Sequence, residues 1–333
     1  MVFTLVDYVW VSGEGELRSK THVIYNPINS LEDIPTWSYD GSLTEQANGS
    51  NSEIVIYPKR LFRCPFRRSH DFIVLCDTYT SDGKPAKYNH RHYASKIFEK
   101  YTDQKPWYEL NQEYFIYDSE TNLPVNFNPD RNQGSHYCSV GGNNAFYREI
   151  TEEHLFACLR AGIKISGTNA DIAPAQWEYQ VGPVEGIDAA DQLWISRYIL
   201  EKIAEKYDKY IVYHPKPLKG IWNGSGCRCN FSTKAMRDTN GLNVIYNIIK
   251  KLEKRHLEHM EVYGEYNDER LTGSYETVRY DTFTYGVANG KVSIRIPIDT
   301  VRNGRGYIED RRPAANCDPY LVTAKILETI MEN

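Results

Sequence analysis

Carboxylates and arginines are the side chains in this 333-residue sequence whose spacing suggests chemistry. Glu113, Glu178 and Glu185 each fall on, or at the end of, a stretch with strand-like alternation. Acids that converge in a cavity repel unless a cation sits among them, and hard divalent ions such as Mg²⁺ or Mn²⁺ prefer oxygen ligands. Spacing alone favours a plainer reading, in which these are separate solvated acids. The last quarter of the chain carries the complement: Arg270, Arg295, Arg311 and Arg312, in the segments ERLTG, SIRIP and YIEDRRP. A guanidinium fork suits carboxylate and phosphate oxygens. Acids for a metal with arginines for anions suggest a phosphate-transferring site with a carboxylate substrate. A surface charge network accounts for the arginines equally well. With no Gly-rich P-loop and no GxGxxG stretch, neither a Walker-type nor a dinucleotide loop is expected.

The elements that must position these groups read as strands with one charged face. In PWYELNQEYFIY, Asn111 and Glu113 are two apart and point the same way. In PAQWEYQVG, Gln176, Glu178 and Gln180 share one face, and Trp177, Tyr179 and Val181 the other. In KVSIRIP, Val292, Ile294 and Ile296 point away from Ser293 and Arg295. A sheet with an apolar back and a charged front lines a cavity better than it packs a core. Strands are expected at 4–12, 17–25 and 71–79, and helices at 92–102, 151–161, 188–207 and 241–262. The Gly/Ser/Asn-rich segment 35–51 reads as a long loop, long enough to suggest function. Turn residues at Ser81–Pro85 place a boundary near residue 85, between parts 1–85 and 86–333.

Composition is that of an ordinary globular chain, with 41% apolar and 25% charged residues. A net charge of −5 argues against nucleic acid and acidic membranes as partners. The seven cysteines are scattered without a CxxC pair, which points to reduced thiols, with Cys227 and Cys229 structural. No apolar stretch approaches the roughly 20 residues of a membrane helix and no signal peptide is evident, so a cytoplasmic protein is expected.

Five segments carry a resemblance: 37–52 (WSYDGSLTEQANGSNS), 167–187 (GTNADIAPAQWEYQVGPVEGI), 215–237 (PKPLKGIWNGSGCRCNFSTKAMR), 270–277 (RLTGSYET) and 306–319 (GYIEDRRPAANCDP). In order and spacing they resemble the signature blocks of eukaryotic-type glutamine synthetases, across essentially the whole chain. The resemblance implies an α+β chain: a small N-terminal β-grasp domain (1–85) followed by a large glutamine-synthetase-type α/β catalytic domain (86–333). It also implies a homo-oligomer, a decamer of two pentameric rings whose active sites are shared between neighbours. The family reaction is ATP-dependent ligation of ammonia to L-glutamate through γ-glutamyl phosphate, supported by two Mg²⁺ or Mn²⁺ ions.

Carried over by resemblance, Glu113, Glu178 and Glu185 match the carboxylates of the first metal site. Asn223, Gly224, Arg270 and Arg311 match the glutamate pocket, and Asn230, Ser232 and Arg295 the ATP side. Glu276 matches a flap glutamate that helps take a proton from ammonium, and Asp40 an aspartate lent by a neighbouring subunit. The second metal site departs: the family's Glu, His and Glu read Asn111, Arg228 and Glu309 here. Asparagine is a weak neutral ligand and arginine does not deprotonate, yet the three charges sum to zero without an ion. Arg228 is therefore expected where the second ion would be, paired with Glu309. Other departures are Gly290 for a phosphoryl-stabilising arginine, with Lys291 turned to the opposite side, and Leu43, Phe146 and Tyr275 for Ser, Tyr and His. Two readings follow: a ligase, or a non-catalytic homologue acting as glutamate-binding scaffold or regulator. The altered residues favour activity that is absent or strongly reduced.

Overall fold

The computed structural model describes residues 3–130, 133–274 and 277–332. Its N-terminal part is a five-stranded sheet of β1 (Thr4–Val11), β2 (Leu17–Ile24), β3 (Trp37–Asp40), β4 (Glu53–Arg63) and β5 (Phe72–Thr80), in the order β2-β1-β5-β4-β3. β1 and β5 are parallel, and the other neighbours antiparallel. Strand alternation sends Val6, Tyr8, Trp10, Val74 and Cys76 to one core, while Val9, Ile73 and Leu75 join the core of the larger part. One hydrophobic cluster thus runs through both parts.

The larger part is built on a second sheet: β6 (Trp107–Asp118), β7 (Leu123–Pro124), β8 (Ile165–Ala170), β9 (Gln176–Glu185), β10 (Lys209–Val212), β11 (Cys227–Ser232), β12 (Tyr285–Val287), β13 (Ile294–Ile296) and β14 (Ile308–Asp310). Its main path is β12-β13-β14-β11-β6-β9-β8, with β7 and β10 also pairing to β6. The apolar back carries Tyr108, Leu110, Tyr114, Trp177, Tyr179, Val181, Cys227, Cys229 and Phe231. Helix Asp188–Glu205 packs there, burying nearly its whole length. On it Arg197 is buried, donating to Gln112 Oε1 (2.6 and 2.9 Å) and to the carbonyls of Ala315 and Cys317. That satisfied polar knot ties β6 to the segment after β14. All seven cysteines are free thiols, and among the described residues no helix is long and apolar enough to cross a membrane.

Several expectations shift. The segment read as a loop, 35–51, contains β3 and a 3₁₀ turn at Gly41–Thr44. Tyr39 stacks on Trp10 and Trp37 on His22, and pairing with β4 supplies backbone bonds that composition does not announce. β4 has no counterpart among the expected strands; Pro58 lies in it, at a bulge where a missing N–H is tolerated. Helix 241–262 is broken at Arg255 into Gly241–Lys254 and His256–Met260.

Candidate active site

Alternation places Glu109, Asn111 and Glu113 on the front of β6, Glu178 and Gln180 on β9, and Arg228 and Asn230 on β11. Cross-strand register then sets Glu113 opposite Glu178, Asn111 between Gln180 and Arg228, Asn230 between Glu109 and Glu309, and Arg295 beside Glu309. Like charges directly opposite are destabilising, so the Glu113–Glu178 pair needs a cation.

Arg228 supplies one. Its Nη2 lies 3.0 Å from Glu113 Oε1 and contacts Glu178 Oε2. Glu309, the partner expected from the sequence, is more distant at 3.8 Å from Nε. It is held instead by Arg311 (2.9 Å) and Arg295 (3.2 Å). Burial works against the Arg228 charge, but Glu113, Asp171 and Glu309 outweigh it and raise its pKa, so it stays protonated.

Carboxylate oxygens of Glu113, Asp171 and Glu178, all buried, lie within 4.8 Å of one another. This group differs from the expected set. Glu185 lies seven residues beyond Glu178, roughly 20 Å along an extended strand, opposite Trp107 at the far end of β6. It is exposed and accepts from Trp107 Nε1 at 3.3 Å. Asp171 takes its place from the turn between β8 and β9. Strand alternation is blind to a turn residue, and the only sequence signal was its position seven before Glu178 within the TNAD–QWE block.

A small cavity beside these acids is lined by Asn223, Gly224, Arg270, Ser293 and Arg311. Arg270 is buried against backbone, donating to Asn267 Oδ1 and to the carbonyls of Arg312 (2.6 Å) and Pro313 (3.0 Å). Burial first, then the nearby Arg311 and Arg228 charges, bring its pKa down to about 10, against the pull of Glu113. It remains a cation at neutral pH. Gly224 permits this packing: a Cβ there would lie 2.4 Å from the Pro215 carbonyl oxygen and 2.6 Å from Arg270 Cγ. Arg312 is a structural arginine, fully buried on Asp310 (2.7 and 2.9 Å).

A second, mostly apolar cavity is bounded by Trp107, Tyr307, Phe231, Asn230 and Ser232. Asn230 donates to Glu109 Oε1 at 3.0 Å, and Ser232 Oγ donates to the Gly306 carbonyl at 2.5 Å. Glu109 is a front-face acid the sequence reading passed over, although its spacing two before Asn111 marks it. Arg228 Nε, Arg295 Nε and Asn111 Oδ1 are buried without a hydrogen-bond partner.

Comparison with known proteins shows the family. A family model described as glutamine synthetase, catalytic domain, matches residues 88–253. A "Putative glutamine synthetase" of Acanthamoeba polyphaga mimivirus is 59% identical, covering 99% of this chain and 95% of the relative. "Glutamine synthetase N-1" of Phaseolus vulgaris is 48% identical over 98% and 94% of the two chains. The chain belongs to the glutamine synthetase family. A solved structure described as "Apo GmaS without ligand" shares the fold, with a TM-score of 0.78 at 18% identity, covering 98% of this chain and 76% of that one.

The remaining expected residues of this glutamine synthetase family member sit as follows. Asp40 is exposed on edge strand β3, accepting from Ser42 N (3.0 Å) and Ser42 Oγ (2.6 Å), bonds that hold its pKa low. It does not line the cavity of its own chain. Glu276 and Tyr275 lie outside the described residues. Gly290 and Lys291 lie in a bend between β12 and β13, not in a strand, so the expected alternation between them does not apply. An added Cβ at Gly290 meets nothing within 4 Å. Leu43 is exposed and Phe146 buried.

Proposed function

We propose that this chain binds glutamate and ATP in the two cavities and ligates ammonia to glutamate only at a strongly reduced rate. The observation that carries this reading is Arg228, whose guanidinium lies among the acids of both expected metal sites. Arg270 and Arg311 hold the glutamate carboxylate beside Asn223 and Gly224. The apolar cavity with Asn230 and Ser232 takes the nucleotide base and ribose, leaving the phosphates near Arg295. The Nε donors of Arg228 and Arg295 have no hydrogen-bond partner and suit phosphate oxygens.

As hard oxygen donors, Glu113, Asp171 and Glu178 fit one Mg²⁺ or Mn²⁺. Asn111, Arg228 and Glu309 do not fit a second, because a guanidinium is no ligand. Bound at the first position, the ion would supply charge neutralisation around the glutamate carboxylates. Asp40 and Glu276 would serve the ammonium, Asp40 from a neighbouring subunit of a ring assembly, a decamer of two pentamers. We place the boundary of the two domains near residue 85 and the protein in the cytoplasm.

The test is phosphate release from ATP with glutamate and ammonium, alongside calorimetric glutamate binding. Binding with little or no turnover is expected. A rate near about 1 s⁻¹, within the ordinary enzyme range, overturns the reduced-activity reading.

A further inference from the structure

We propose that Arg228 is a tethered cation occupying the divalent-ion position between Glu113 and Glu178, so that metal binds this chain only when Arg228 moves out. The inference rests on Glu113, Asp171 and Glu178 being the metal-holding group. The sequence alone placed Arg228 against Glu309; the structure keeps that pair at 3.8 Å and adds closer contacts to Glu113 and Glu178.

Register explains how it gets there. Arg228 stands on β11 opposite Asn111 of β6, while Glu178 stands on β9, on the other side of β6. Its side chain must therefore span about two strand spacings, each near 4.8 Å, passing over Asn111. A short neutral residue permits that passage. A carboxylate at 111 would stop the guanidinium halfway, at the second metal position.

Charge explains why it stays. Glu309 already has Arg295 and Arg311 at ion-pair distance. Glu113 and Glu178 have no other cation within 4.0 Å among the described residues, and they face each other directly. Their side chains are only 8% and 6% exposed, so solvent screens the interaction little. A divalent ion at the same oxygens would sit within a few ångströms of the guanidinium. The two cations repel too strongly to share the pair, and metal affinity falls by on the order of tenfold to a hundredfold.

The experiment titrates Mn²⁺ alone into the full-length protein, read by electron paramagnetic resonance of the free ion and by calorimetry. Wild type is compared with Arg228→His and Arg228→Met at pH 7.5. The expected result is weak binding by wild type and binding at least about tenfold tighter in both variants. Equal, tight binding by all three overturns the tethered cation and leaves the metal-site reading standing. No binding by any of the three overturns both. Anomalous scattering from Mn²⁺-soaked wild-type crystals decides independently of variant folding. An ion between Glu113 and Glu178 with Arg228 displaced supports the inference. An ion with Arg228 still paired to both acids refutes it.

Discussion

Installing the residues that the resemblance implies, Asn111→Glu, Arg228→His and Gly290→Arg together, is the perturbation with the largest expected gain. Asn111, Arg228 and Glu309 carry no net charge; Glu, neutral His and Glu carry −2 and can accept a divalent ion. Arg228→His also releases Glu113 and Glu178, which it now holds. At Gly290 an added side chain starts in open space, with nothing within 4 Å of its Cβ. Each restored electrostatic element contributes about 10²–10³ in rate, or roughly 2.7–4 kcal/mol of barrier. Both act on the same phosphoryl group, so the gains do not multiply in full, and an increase on the order of 10³ in glutamate- and ammonium-dependent phosphate release is expected. Asn111→Glu alone should give little, because Arg228 would pair with the new carboxylate. The reasoning is refuted if the triple variant folds, binds Mn²⁺ tightly and shows no gain, or if Asn111→Glu alone restores the rate.

Gly224→Ala forces a Cβ to within 2.4 Å of the Pro215 carbonyl oxygen and 2.6 Å of Arg270 Cγ. Overpacking of this kind costs about 1–3 kcal/mol, so urea unfolding should shift by that amount while glutamate binding weakens because Arg270 is displaced. His154 is fully buried, and burial brings its pKa from 6.5 to about 4, with Ser196 O on its Nε2 opposing the shift. The unfolded chain takes up a proton below pH 6.5 that the folded chain refuses until about 4, so full stability holds above 6.5 and falls progressively below it. The loss reaches about 3 kcal/mol for this one group; unfolding midpoints at pH 7.5 and 5 in wild type and His154→Gln should differ less in the variant.

The charged front of the second sheet was legible because period-two alternation is a local property. Gln176, Glu178 and Gln180 against Trp177, Tyr179 and Val181 needed only the sequence, and the observed register keeps that division. What the alternation could not supply was where a strand stops pointing into the cavity. Glu185 belongs to the same stretch as Glu178, yet it lies at the far end of the strand, while Asp171 enters from a turn. Edge strand β3 was hidden by its Gly, Ser and Asn neighbours, because its stability comes from pairing with β4 and from Trp10 and His22. The destination of Arg228 was equally non-local: it depends on which acids lie across two strands and which already have partners.

That dependence makes the residues at 111 and 228 a coupled pair. A Glu, His and Glu set with an ion is neutral. Asn111 alone would leave an excess positive charge with the ion bound. Arg228 alone, with Glu at 111, would leave an excess negative charge without the ion. Both together are neutral with no ion at all. Buried charge is tolerated only when compensated, so each change makes the other tolerable. Four carboxylates (Glu113, Asp171, Glu178, Glu309) here meet four guanidiniums (Arg228, Arg270, Arg295, Arg311) in one region of the sheet. A site balanced in this way keeps its shape without metal. On the proposed reading, the same balance would remove the electrostatic need that draws a second ion, and with it the charge that aligns a transferring phosphoryl group.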